Sequence, residues 1–358
     1  MAEVHSSAVD RPSAEIVRHP EPRRLTFSLL VGLVVVMLLS LGIGAVPIPF
    51  SSIAESLAAI VGAPVAVDRT IQSIVMQIRL PRIVLAVVVG MALAASGTVF
   101  QGLFRNPMAD PYIIGVSGGA ALGATTAIVL GVTFSIAGLS AVTLLAFGGA
   151  LLVTVLVYRL AWFRQDVVPE HLLLAGVAVG AFLAAIISAL QFASSGNIQQ
   201  VVFWLMGGFS GRTWDHVLLA VPYAFAGYVV ARYFARDLNL LVLGDETARS
   251  LGVSTTSSRR WLIAAGALMA ASAVAVSGLI GFVGLIVPHL VRLITGPDHR
   301  RLLPAATLAG GITLLLADTV ARTILAPTEI PVGIVTAGLG APFFIYLLMK
   351  NRGKTYWG

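Results

Sequence analysis

Ionisable side chains inside apolar segments are the first candidates for chemistry, and this sequence has very few of them. Asp318 is the only acid well inside a long apolar stretch, and it lies four residues before Arg322. Residues four apart share one face of a helix, so the two side chains are expected to pair near the outer membrane surface. Proton-coupled transporters commonly use relays of carboxylates or histidines. Their scarcity predicts that any transport by this chain draws its energy from another source.

Two short motifs suggest other chemistry, but their context argues against both. Gly353-Lys354-Thr355 resembles the end of a phosphate-binding loop, yet Leu348 stands where such a loop needs glycine. Gly115-Val116-Ser117-Gly118 contains the pattern of intramembrane serine proteases, with His289 as a conceivable base. A serine in a small-residue packing face is the preferred interpretation, because a nucleophile needs a base within hydrogen-bonding reach. We predict no catalytic residue and no metal ligand, and the protease remains a remote alternative.

The elements that must position these residues are membrane helices. Hydrophobic residues make up 58% of the 358 residues and charged residues only 11%, and the chain has no cysteine. Soluble domains average roughly 25% charged residues, so this composition cannot build a water-facing surface. The formal charge of +7 comes from basic residues that punctuate apolar runs rather than cluster on a soluble face. Nucleic acid is therefore excluded as a partner, and the lipid bilayer is the expected environment.

Stretches without charge, measured against the roughly 20 residues that cross a bilayer, predict ten membrane spans. The fold class is all-α, with one polytopic domain over residues 25–350. A surface helix is expected at Ser51–Gly62, and a short return helix near Val201–Gly208. The ten spans are placed at Leu25–Val46, Ile83–Phe104, two within Pro111–Tyr158, Leu172–Phe192, Val217–Arg232, two within Trp261–Val291, Leu303–Ala321 and Pro331–Met349.

The distribution of basic residues predicts the orientation of these spans. Ten spans with a cytoplasmic amino terminus also put the carboxyl terminus inside. That arrangement leaves only Arg69, Arg79, Arg82, Arg212 and Arg322 outside, of the 23 lysines and arginines. The opposite orientation reverses the ratio, against the positive-inside rule. Residues 1–24 are expected to be a disordered cytoplasmic leader and residues 351–358 a cytoplasmic tail.

Small residues inside the spans predict close helix packing. The pairs Gly119–Gly123, Gly176–Gly180 and Gly207–Gly211 each have the spacing that lets helix backbones approach closely. The 36 glycines are therefore interpreted as packing residues first.

Two polar groups outside the spans are candidate contact surfaces. Arg79, Arg82 and Arg322 fall on the same outer side, where they could be headgroup anchors or a basic surface for carboxylates of a soluble partner. On the inner side, Leu243–Gly252 forms the longest well-defined loop. Its glycines could end short helices around a compact knob, although a plain solvated loop fits the residues as well.

These segments resemble, in order, the permease family of binding-protein-dependent ABC importers for haem, ferric siderophores and cobalamin. The resemblance covers about residues 25–350. The matching segments are Leu80-Pro81-Arg82, Ser96-Gly97 to Gln101, Phe104–Pro111, Gly115–Ala120, Leu243–Gly252, Gly281–His289, Asp298-His299-Arg300, Leu316–Arg322 and Glu329–Gly333.

The resemblance implies a ten-helix subunit that pairs with a second copy in the bacterial inner membrane. Two cytoplasmic ATPase subunits would bind ATP and magnesium, a periplasmic binding protein would deliver the substrate, and this chain would bind no cofactor. Arg79, Arg82 and Arg322 would face acidic residues of the binding protein, and Asn106 and Met108 would help to close the cytoplasmic end of the path. The residues implied to couple to the ATPase are Leu243, Gly244, Asp245, Glu246, Ala248, Arg249, Leu251 and Gly252.

The substrate expected from the resemblance is a bulky iron chelate. Haem is the first choice, because Gln101–Pro107 is similar to the same block in haem permeases. Other members of the family share that block, so a ferric siderophore or cobalamin remains the alternative.

Overall fold

The computed structural model describes residues 22–44, 48–60, 68–163, 166–194 and 196–350 as a mostly helical chain. The predicted leader and tail lie outside these residues, except for the start of the first helix. The helices are α1 Pro22–Gly42, α2 Phe50–Ile60, α3 Arg69–Ser73, α4 Leu80–Leu103, α5 Val116–Val129, α6 Ala141–Leu160, α7 Pro169–Ala193, α8 Ile198–Met206, α9 Trp214–Tyr233, α10 Ala235–Val242, α11 Asp245–Ser250, α12 Thr255–Ser277, α13 Val283–Thr295, α14 His299–Ala321 and α15 Val332–Lys350.

Short irregular elements join several of these helices. A π-helical stretch at Ile74–Arg79 makes α3 and α4 continuous, and a 3₁₀ turn at Pro111–Ile114 precedes α5. Two small antiparallel hairpins connect neighbouring helices. Their strands are β1 Ser135–Ile136, β2 Leu139–Ser140, β3 Trp162–Phe163 and β4 Asp166–Val167.

Seven of the described helices are long and apolar enough to cross a membrane. Three shorter apolar helices, α5, α13 and α15, supply the remaining segments that the sequence predicts as spans. The predicted turn between the two spans of Trp261–Val291 is present, because α12 ends at Ser277 and α13 begins at Val283.

The start of the second span differs from the sequence prediction. Helical structure begins at Arg69 rather than near Ile83, and it runs without a break to Leu103. Charge was expected to end the helix at Arg82, but Arg79 and Arg82 are buried within it. Groups from distant parts of the chain accept hydrogen bonds from both guanidinium groups, so these side chains do not need to reach water.

α4 is the central helix of the bundle, packed against α9, α12, α13 and α14. Glycines let these backbones touch. A Cβ atom at Gly97 would lie 1.8 Å from the carbonyl oxygen of Gly284 in α13, and one at Gly90 would lie 2.3 Å from that of Gly310 in α14. The crossings of α4 therefore depend on positions that carry no side chain.

The predicted small-residue pairs are confirmed in part. A Cβ at Gly119, Gly123 or Gly176 would lie within 2.3 Å of a backbone oxygen of a neighbouring segment. Gly180 and Gly211 face open space, so their part of the prediction is wrong. Gly207 is close to Leu279, but it lies in the loop after α8 with φ at +70°, and not in a helix.

Charged residues distinguish the two ends of the helix bundle, which are called the outer end and the inner end. The outer end carries Arg82, Arg212 and Arg322, and the inner end carries Arg105 and Asp245. These names follow the orientation that the loop charges predict.

Candidate functional site

A buried ion cluster occupies the outer end of α4 and α14. The Arg82 guanidinium donates from Nη2 to Asp318 Oδ1 over 2.7 Å and from Nε to both Asp318 oxygens over 3.0 and 3.2 Å. Its Nη1 donates to the two oxygens of Glu329 over 2.8 and 2.9 Å. Asp318 has no exposed surface, whereas the Glu329 side chain is 36% exposed. Arg82 is therefore held between one buried and one accessible carboxylate.

The other two arginines of this cluster attach α1 to the bundle. Arg79 Nη1 donates to the carbonyl oxygen of Leu41 over 2.6 Å. Arg322 Nη2 donates to the carbonyl oxygen of Ser40 over 2.7 Å and also to the Ser40 hydroxyl. Both acceptors belong to the last turn of α1, where the carbonyl oxygens lack partners within the helix. We call Arg79, Arg82, Arg322, Asp318 and Glu329 the outer ion cluster.

The expected local pair between Asp318 and Arg322 is present only as a long contact. Arg322 Nε lies 3.9 Å from Asp318 Oδ2, while Arg82 is much closer. The main partner of Asp318 thus comes from a residue 236 positions away. Spacing along one helix could not have identified it.

The predicted basic docking surface is not exposed. Arg79, Arg82 and Arg322 are 6%, 9% and 5% exposed, and their donors bind groups within the chain. In the subunit alone these side chains therefore do not form an exposed basic surface. Their burial follows from the carboxylates and helix-end carbonyls that surround them, because a guanidinium leaves water only where such partners replace it. Contact with a binding protein stays a prediction.

A second ion cluster lies at the inner end and fixes the start of α11. Asp245 accepts from Arg259 Nη2 over 2.8 and 3.0 Å and from Arg105 Nη2 over 2.7 Å. Arg259 also donates from Nη1 to the carbonyl oxygen of Val167 over 3.1 Å. Burial alone would raise the pKa of Asp245, but the two arginines lower it below its usual range. Asp245 therefore stays ionised near neutral pH and holds the start of α11 against α12 and the turn after α4.

One residue of the predicted coupling segment is in the wrong place for contact with a partner. Ala248 has no exposed surface and packs into this chain's own core, so it cannot fill a cleft on an ATPase. Leu243 and Leu251 are 64% and 54% exposed, and Glu246, Arg249 and Gly252 are exposed with them. Gly244 is half-buried at the start of α11. A cavity of about 600 Å³ opens beside this segment.

The predicted gate residues lie in the turn after α4. Asn106 is exposed and Met108 is half-buried. The Asn106 side-chain oxygen accepts from the Met108 backbone N–H over 2.9 Å, which closes the turn locally. The turn lies at the inner end, and its role in closing a path stays a prediction.

Comparison with known proteins gives one consistent result. A family model for the FecCD transport family matches residues 32–350. A cobalamin import system permease, BtuC of Halobacterium salinarum, is 47% identical over 309 residues, which cover 86% of this chain and 81% of that protein. A hemin transport system permease, HmuU of Yersinia pestis, is 40% identical over 337 residues, which cover 93% of this chain and 97% of that protein.

A solved structure supports the same assignment. It is described as a metal-chelate type ABC transporter in an inward-facing conformation, and it matches with a TM-score of 0.78 at 35% identity. The match covers 92% of this chain and 99% of the solved chain. The chain therefore belongs to the FecCD transport family and is a permease subunit of an ABC importer, not an enzyme.

Proposed function

We propose that this chain imports a bulky metal chelate, with haem as the first candidate, across the bacterial inner membrane. The observation that carries the proposal is the likeness to a hemin permease over 93% of this chain and 97% of the relative. Cobalamin is the second candidate, because the relative that is 47% identical is a cobalamin permease. A ferric siderophore remains a less favoured alternative within the same family.

The structure supports an external energy source for this import. Asp318 is tied to Arg82 by three short contacts and is therefore not available to carry protons. We infer that two cytoplasmic ATPase subunits bind ATP and magnesium and drive two copies of this chain. The proposed topology has ten spans and places both termini inside. A periplasmic binding protein would then bind at the outer end.

Reconstitution tests the function directly. The dimeric transporter, its ATPase and its binding protein are placed in proteoliposomes, and uptake of haem and of cyanocobalamin is measured with and without ATP. We expect haem to accumulate only with ATP. Accumulation of cyanocobalamin without haem would favour the second candidate, and transport of neither would contradict both.

Coupling to the ATPase is expected to depend on Leu251. Leu251→Glu would place a charge at an exposed apolar side chain that is expected to contact the ATPase. Because burying a leucine in an interface contributes about 1.5–3 kcal/mol, the substitution should weaken this contact. We expect co-purification of the ATPase and ATP-driven uptake to fall about tenfold or more. Ser257, exposed near the start of α12, supplies the control, because Ser257→Glu adds the same charge outside the segment. Equal loss in both variants would contradict a coupling role for α11.

A further inference from the structure

A cavity of about 440 Å³ lies at the outer end, next to the outer ion cluster. Its walls come from α8, the loop before α9, the end of β2 and the connection between α14 and α15. Apolar side chains such as Phe203, Phe209 and Val332 form much of the lining. Arg82, Arg212 and Glu329 are the charged residues in it. The volume lies within the range of small-molecule binding sites, about 300–1,000 Å³.

Arg212 has no counter-ion among the residues that the structure describes. Its Nε is buried without an acceptor. Its Nη1 lies 3.3 Å from Nε2 of His216. Nδ1 of the same ring lies 3.2 Å from the Thr213 backbone nitrogen and 3.1 Å from the Thr213 hydroxyl. A neutral imidazole carries no charge, so this contact does not balance the charge of Arg212.

The carboxylates near Arg212 are engaged elsewhere. Glu329 binds Arg82 through both oxygens, and Asp215 accepts from the Thr213 hydroxyl over 3.3 Å. Burial lowers the pKa of Arg212, and no acidic group opposes that effect. With Arg82 neutralised, the lining of the cavity carries one uncompensated positive charge. Arg212 is half-buried, and an anionic ligand in the cavity would stabilise its unbalanced charge.

A second donor in the same cavity also lacks an acceptor. The indole Nε1 of Trp204 in α8 is buried and has no hydrogen-bond partner among the described residues. By contrast, the indole of Trp214 donates to the carbonyl oxygen of Met76 over 3.0 Å. Trp204 and Arg212 both line this cavity, and an acceptor on a ligand that reached them would pair donors that otherwise have no partner.

We propose that this cavity binds an oxyanion, a carboxylate or a phosphate, carried by the transported chelate as it enters the permease. Arg212 supplies the charge, the Trp204 indole supplies a directional donor, and the apolar walls hold the adjoining part of the ligand. The proposal rests on the importer function and specifies the chemistry of its substrate: a chelate with at least one acidic arm.

The first test measures binding without transport. The transporter is labelled with 5-fluorotryptophan, and the ¹⁹F signal of Trp204 is assigned by its loss in Trp204→Phe. Titration with sodium propionate or inorganic phosphate should shift this signal in the parent protein and in Arg69→Gln, which removes an exposed arginine at the outer end. The shift should disappear in Arg212→Gln. No shift with either anion, or an equal shift in Arg212→Gln, would overturn the proposal. The two anions distinguish a carboxylate from a phosphate as the preferred group.

The second test uses transport in proteoliposomes. A hydrogen bond to a charged group is worth about 1.5–3 kcal/mol, so Arg212→Gln should reduce haem uptake about tenfold or more. The neutral bond of Trp204 predicts a smaller loss in Trp204→Phe, about two- to tenfold. Haem dimethyl ester, which has no carboxylate, should be carried equally well by the parent and Arg212→Gln. An equal loss for haem and its ester would overturn the proposal. Arg212→Gln would then impair the folded transporter in general rather than its recognition of a carboxylate.

The two tests separate this inference from the importer function. If anions shift the Trp204 signal but neither haem nor cyanocobalamin is carried, the substrate assignment fails and the oxyanion site stands. If haem is carried but Arg212→Gln weakens only the affinity of the binding protein, Arg212 belongs to a docking surface and the inference is wrong.

Discussion

Replacement of Asp318 with Asn is expected to destabilise the protein more than any other single change of charge in the outer ion cluster. The carboxylate is fully buried, accepts from Arg82 over 2.7–3.2 Å and lies 3.9 Å from Arg322. Asn keeps the shape of the side chain but removes the buried carboxylate, so that Glu329 is the acid left on Arg82. Removal of one partner from a buried ion pair typically costs about 3–5 kcal/mol.

The thermal midpoint and the yield of monodisperse protein in detergent measure this loss. Glu329→Gln is the matched control, since it removes a carboxylate from the same arginine at a position that is 36% exposed. Water can replace part of that interaction, so the control should lose clearly less stability. Equal midpoints for the two variants would show that burial of Asp318 does not govern the strength of this cluster.

Gly97→Ala is expected to separate α4 from α13 and to abolish stable folding. The new Cβ would meet the Gly284 carbonyl oxygen at 1.8 Å and its carbonyl carbon at 2.6 Å. Both are backbone atoms in the first turn of α13, so no side-chain rotation relieves the clash. Overpacking commonly costs about 1–3 kcal/mol, and a backbone clash at a helix crossing belongs at or above the upper end of that range.

Gly148→Ala provides the control for this change. Gly148 lies in α6, and a Cβ there meets nothing within 4 Å. Alanine is favoured over glycine by about 1 kcal/mol in a helix, so this variant should be as stable as the parent or slightly more stable. Thermal unfolding of both proteins in the same detergent makes the comparison. Normal stability of Gly97→Ala would mean that α4 and α13 are less closely packed than the structure shows.

The sequence predicts the order and type of the helices well because apolar length and loop charge are local properties. The length of Trp261–Val291 and the basic residues on both sides of it predict two spans, and the break between α12 and α13 occurs at residues 278–282. The same reasoning misplaced the start of the helix that leads into α4. It treated Arg82 as a boundary, whereas Asp318 and Glu329, more than 230 residues away, allow the arginine to be buried.

Residues of the candidate sites were predictable from sequence only where their place in a loop between helices already makes the side chain exposed. Leu243 and Leu251 are exposed beside helix-ending glycines, as the knob interpretation requires. Ala248 shares their apolar character but faces inward, because the short α11 turns that side towards the core. The cavity near Arg212 combines residues from six separate parts of the chain. No spacing along the sequence marks that convergence.

The shortness of α13 has a consequence for how the protein enters the membrane during synthesis. Its 13 residues span about 20 Å, against a hydrocarbon thickness of roughly 30 Å, and they include Arg292. Arg292 lies in the last turn, where its side chain can reach the inner headgroup region, so the main deficit of α13 is its length. α13 alone is therefore a poor substrate for the translocon, and its insertion is expected to be coupled to that of the longer α12. If α12 inserted without α13, this segment would be left on the outer side, so the two helices are expected to enter the bilayer as a pair.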